Sequence, residues 1–98
     1  MSYYPDVVQA LAGPGRTVYA YFTDGSVRLF DVKPLIDRGG VFAALGDDEF
    51  FRSRLTVMNG TVAWDVSGDR DASKCIDLDP FSVYEDSEIV DDPLMTVA

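Results

Sequence analysis

The sequence predicts an α+β fold: a small antiparallel sheet of two β-hairpins plus an N-terminal strand, with one or two short helices. Three observations predict it. Two runs of β-branched and aromatic residues are each interrupted by a dipeptide suited to a hairpin turn, Asp24–Gly25 in one and Asn59–Gly60 in the other. A shorter β-rich run precedes a Gly–Pro–Gly break near the N-terminus. The stretch between the hairpins carries helix start and stop signals instead. With 98 residues, 47% of them hydrophobic and 12% aromatic, the chain has material for one packed core and not for two.

The elements follow in chain order. Val7–Leu11 reads as a strand, closed by Gly13–Pro14–Gly15. Residues 16–32, RTVYAYFTDGSVRLFDV, read as the first hairpin. With Asp24–Gly25 as a two-residue type I′ loop, Phe22 faces Val27, Tyr21 faces Arg28, Tyr19 faces Phe30 and Val18 faces Asp31. Val18, Ala20, Phe22, Val27 and Leu29 then form a core face, and Tyr19, Tyr21, Arg28 and Phe30 gather on the other. Residues 55–65, LTVMNGTVAWD, read as the second hairpin, with Asn59–Gly60 in the turn, Val57 opposite Val62 and Leu55 opposite Trp64. Thr56, Ala63 and an Arg54–Asp65 pair occupy its more solvated face. Between the hairpins, Pro34 suits the start of a helical turn that Gly39–Gly40 ends. Asp47 suits the N-cap of a short helix through about Arg52, and Asp48 and Glu49 complement its dipole. Phe42, Leu45, Phe50 and Phe51 supply apolar cover. Ile76–Tyr84 reads as a turn or single helical turn, with Asp79 capping a helix begun by Pro80. Residues 1–85 form the compact domain and residues 86–98 an acidic C-terminal arm.

Composition excludes several kinds of chemistry. The chain has no His and one Cys, so His-based zinc sites, Ser–His–Asp triads and disulfide frameworks lack their residues. Eight basic and 17 acidic side chains give a net charge of −9, which opposes direct nucleic-acid binding. No apolar run is long enough for a membrane helix and no signal peptide is evident, so the expected location is cytoplasmic. The charge is unevenly placed: residues 61–98 hold 10 acidic and 2 basic side chains, and no basic residue follows Lys74. Asp69, Asp71 and Ser73 imitate the opening of a calcium loop, but Lys74 and Pro80 stand where such a loop needs Gly and Glu. Weak metal-dependent activity of this acidic loop, with Asp77 and Asp79, is the least favoured reading. Cys75 lacks an activating His, and no catalytic, cofactor-binding or metal-ligating residue is assigned.

The surfaces with recognition chemistry are two. Tyr and Arg are favoured at interface centres, which singles out Tyr19, Tyr21, Arg28 and Phe30 on the aromatic sheet face. The acids Glu85, Asp86, Glu88, Asp91 and Asp92 suit a basic protein partner. LMTVA, after Pro93, could add as a strand to a partner sheet. The expected function is therefore a non-catalytic module that binds a protein partner. The alternative is a homodimer packed through the aromatic face.

The strings VYAYFTDGSVRLFDVKPLI, GGVFAALGDDEFFRSRLTVMNGTVAWD and IDLDPFSVYE resemble, in order and spacing over roughly residues 7–85, a family of small bacterial proteins catalogued as a domain of unknown function, DUF twenty-four forty-two. The matching features include Asp24–Gly25, Phe30–Asp31, Pro34–Leu35, Gly40–Val41–Phe42, Gly60, Trp64 and Asp77–Leu78–Asp79–Pro80 with Tyr84. Val66–Lys74 looks like an insertion. The resemblance implies a small α+β fold and no established activity. Family members encoded beside another small protein imply one concrete role, an antitoxin-like neutralisation of a basic partner.

Overall fold

The computed structural model describes residues 5–70 and 74–95. It is an α+β fold of two antiparallel sheets. The larger contains β1 (Val7–Ala12), β2 (Thr17–Phe22), β3 (Val27–Asp31) and β7 (Glu88–Val90), in the order β1-β2-β3-β7. The smaller contains β4 (Leu55–Met58), β5 (Thr61–Trp64) and β6 (Ile76–Asp77), in the order β4-β5-β6. The described residues also form three short helices, α1 (Lys33–Arg38), α2 (Asp48–Ser53) and α3 (Pro80–Glu85), and 3₁₀ segments at Gly40–Gly46 and Pro93–Met95. No helix among the described residues is long and apolar enough to cross a membrane.

The second hairpin forms with the register read from its turn. Asn59 and Gly60 have φ of 54° and 74°, the double left-handed geometry of a type I′ turn, and Leu55 pairs with Trp64 and Val57 with Val62. Its two faces differ from expectation. All four residues of β5 are buried, Ala63 completely, because β5 is the central strand of its sheet and both of its faces are covered. Arg54 and Asp65 pair through the backbone, Asp65 N–H donating to Arg54 C=O at 2.9 Å. The buried Asp65 carboxylate turns instead to the following loop and accepts from the amides of Gly68 and Arg70 at 3.1 and 2.9 Å.

The first hairpin departs by one residue. Phe22 N–H donates to Ser26 C=O and Gly25 N–H to Phe22 C=O, both at 3.0 Å, so the loop is Thr23–Asp24–Gly25. Gly25, at φ 89°, is the left-handed bulge residue that follows a type I turn. Tyr21 therefore faces Val27, Ala20 faces Arg28, Tyr19 faces Leu29 and Val18 faces Phe30. A slip of one residue moves every β3 side chain to the opposite face. Phe30 thus joins the core and Leu29 leaves it.

The core lies between the sheets. Val18, Ala20, Phe22, Phe30 and Val32 meet Val62, Trp64 and Ile76, with Leu45, Phe51, Leu78 and Val83 closing the sides. The helices form where the caps indicate. The Asp47 carboxylate accepts from Phe50 N–H at 3.1 Å, and the Asp79 carboxylate from Phe81 N–H at 3.1 Å, with Pro80 at the helix start. Arg16 ties the 3₁₀ segment down by donating to the carbonyls of Leu45 and Gly46 at 3.0 and 2.6 Å and to Asp48 at 2.9 Å. Part of the segment expected as an arm is a strand: β7 is an edge of the larger sheet, pairing Val27 with Val90 and Leu29 with Glu88.

Candidate protein-binding cleft

The four residues expected to share an aromatic face do not share one. The one-residue slip leaves half-buried Tyr19 and Tyr21 on the outer face with Val27 and Leu29, and turns Arg28 and Phe30 inward. Phe30, 8% exposed, is core. Arg28 is an internal clamp. Its Nη1 donates to the Tyr84 carbonyl at 2.9 Å, its Nε to Ser26 Oγ at 3.1 Å, and its guanidinium carbon lies 3.7 Å from the Tyr84 ring centre. The Tyr84 hydroxyl in turn donates to Asp24 at 2.8 Å, and its ring meets Phe22 edge-on at 5.1 Å. These contacts pin α3 to the first hairpin. Hydrogen bonds from the Ser26 hydroxyl, the Ser26 amide and Tyr84 hold the Asp24 carboxyl below the usual carboxylate range.

The acids of the C-terminal segment divide into three places. Glu85 and Asp86 are exposed at the end of α3, Glu88 lies on β7, and Asp91 is exposed just beyond it. Asp92 is engaged: its carboxylate accepts from the Tyr21 hydroxyl at 2.5 Å and from Leu94 N–H at 2.8 Å. Partial burial and the bond to Asp92 push the Tyr21 phenol up to about 12. Pro93–Met95 form a 3₁₀ turn; the remainder of the LMTVA stretch lies outside the described residues. Asp71 and Ser73 of the calcium-like loop also lie outside them. Among the described residues, no group of three or more His, Cys, Asp or Glu is placed to hold a metal ion.

The feature that residue-by-residue reading missed is a cleft of about 420 Å³ between α1, β6 and α3. Its floor is where the core comes within reach of solvent: Phe30, Leu78 and Val83 below, Leu35 and Phe42 along the wall. Its rim carries Asp31, Asp77, Asp79 and Asp86, all exposed, against a single cation, Arg38. Two of these carboxylates are held in place. Asp31 accepts from Lys33 N–H at 3.0 Å, and Asp79 from Phe81 N–H and from the Ser82 hydroxyl at 3.1 and 3.2 Å. The Arg28–Tyr84 clamp fixes α3, and with it the Ser82, Val83 and Asp86 side of the cleft.

A signal for this cleft did exist in the sequence. Phe30–Asp31, Pro34–Leu35, Phe42 and Asp77–Leu78–Asp79 are separate steps of the spacing described above, and folding brings all of them to one place. No local pattern reveals that meeting, because β3–α1 and β6–α3 are about 45 residues apart in the chain.

Fold and site together define a small α+β domain with an apolar, acid-rimmed cleft. The chain belongs to the family described as Protein of unknown function (DUF2442), which it matches over residues 7–88. No curated protein and no solved structure gives a significant match.

Proposed function

We propose that this protein is a non-catalytic interaction module that binds a basic protein partner through the cleft between α1, β6 and α3. One observation carries the reading: an apolar floor of core side chains opens at a rim of four carboxylates and one guanidinium. An apolar floor rewards burial of a partner side chain, and a rim of one sign selects the partner's charge and speeds encounter. The net charge of −9 adds a long-range attraction of the same sign. A neutralising, antitoxin-like role toward a basic partner is the concrete version consistent with this chemistry. The residues expected to form an aromatic dimer face are divided, Tyr19 and Tyr21 on the outer face and Arg28 and Phe30 toward the core, so the cleft supports the hetero-partner reading better.

The test is capture from native cells at low and moderate salt, using the full chain and the double variant Asp77→Lys, Asp86→Lys. Both residues are exposed, so the variant is expected to fold. The proposal expects one stoichiometric protein of high isoelectric point that the variant fails to retain. Equal retention by both chains overturns the cleft as the binding site. A chain that retains nothing and runs as a dimer in light scattering overturns the proposal as a whole.

A further inference from the structure

The cleft continues past Phe42 and Asp77. A second hollow of about 530 Å³, walled by the apolar Val41, Ala44, Phe50, Val66 and Ile76 with Lys74 at its edge, shares those two residues with the first, so the acidic rim belongs to the first hollow. Together the hollows make one groove, with α1 and the 3₁₀ segment on one bank and β6 on the other. β6 is an edge strand of its sheet. Leu78 N–H donates to Val62 C=O at 3.0 Å, and Ala63 pairs with Asp77. Bonded and non-bonded positions alternate along an antiparallel ladder, so Asp77 stands at a non-bonded position with its N–H and C=O turned away from β5. Among the described residues no hydrogen bond uses them. Asp77, where the two hollows meet, thus presents an open backbone donor and acceptor.

We infer that the groove takes an extended basic segment of a partner protein, laid beside β6 and hydrogen-bonded to the Asp77 backbone. Side chains two positions apart on a strand lie about 7 Å apart on one face, which suits one apolar side chain in each hollow on either side of Asp77. Lys or Arg at the intervening positions meets Asp31, Asp77, Asp79 and Asp86. A second copy of this chain is the wrong occupant, since each copy carries −9. This inference rests on the proposed binding function and adds the form of the ligand and its mode of attachment.

The test is selection of random dodecapeptides on the full chain, followed by amide-shift mapping with the best peptide. The expected peptides alternate apolar with basic residues, and the largest shifts fall on residues 35, 42 and 77. Asp77→Lys weakens binding about tenfold or more, Glu88→Lys leaves it within about twofold, and N-methylation of the peptide's central amides also weakens it about tenfold. Basic peptides whose shifts map to β7, and which tolerate Asp77→Lys, overturn the groove assignment and leave the acid-directed binding function standing. Basic peptides that bind the groove but tolerate N-methylation overturn the strand-addition mode alone. A selection that enriches no basic peptide overturns both.

Discussion

Trp64 joins the two halves of the core, and its replacement by Phe is a quantitative test of how the domain is held together. The side chain is fully buried, and its Nε1 donates to the Phe51 carbonyl at 2.9 Å. That carbonyl belongs to the last turn of α2, where carbonyls lack a helical partner, so the indole satisfies a group that would otherwise be an orphan. Trp64→Phe leaves the carbonyl buried and unpaired, at about 1–3 kcal/mol. It also removes roughly 40 Å³ from a packed site, which at about 24 cal/mol per Å³ adds about 1 kcal/mol. The ring contact with Phe51, centroids 5.4 Å apart and tilted by 40°, is kept in part. The expected loss is therefore about 3 kcal/mol, a large share of the stability of a domain this size. Urea unfolding followed by circular dichroism reads it directly, because the variant lacks the tryptophan signal. With a urea slope of about 1.5 kcal/mol/M, the midpoint falls by about 2 M while the slope stays unchanged. A midpoint shift below about 0.5 M would mean that Trp64 does not secure α2 to the smaller sheet.

Three further outcomes follow from the same structure. Asp47→Ala removes the cap on Phe50 N–H and is expected to cost about 1 kcal/mol by the same unfolding assay. Gly25→Ala places a Cβ where no atom lies within 4 Å, so its cost of about 1–2 kcal/mol comes from the positive φ alone, and Gly25→Asn recovers part of it. Tyr21 has a folded-state pKa raised above its unfolded value near 10, so its contribution to stability is complete below about pH 10 and is lost as pH rises towards 12. Tyr21→Phe is therefore expected to unfold less steeply with pH across that interval, as read by circular dichroism.

The legibility of the fold follows the uniqueness of its turn chemistry. Asn59–Gly60 admits one hairpin geometry in which both residues take positive φ, and its register was readable to the residue. Asp24–Gly25 serves two geometries, the two-residue loop and the three-residue loop with a glycine bulge, which differ by one residue of register. A cue to the right one was present: the shorter loop sets the Asp31 carboxylate opposite Val18 on the core side. The observed register moves Asp31 opposite Thr17 and gives Val18 a phenyl partner. Its cost is an arginine on the core face, met by stacking on Tyr84, which lies 56 positions further along the chain, and no local rule anticipates that. The caps at Asp47 and Asp79 were legible because capping is local. β6 and β7, of two and three residues, carry no periodicity to read. The separate steps that line the cleft stand in the sequence, but their meeting is as illegible as the Arg28 clamp, because its walls come together only in the folded chain.

Binding of a basic protein at the acid-rimmed cleft can be read in the cell. The most direct measurement is photo-crosslinking in native cells with benzoylphenylalanine placed at Ser82, which is exposed and lines the cleft, and separately at Val8, which is 60% exposed on β1, the opposite edge of the larger sheet. The expected result is a crosslink from Ser82 to one basic protein, lost when Asp77→Lys is added, and none from Val8. A crosslink to that protein from Val8 and not from Ser82, or one from Ser82 to an acidic protein, contradicts it.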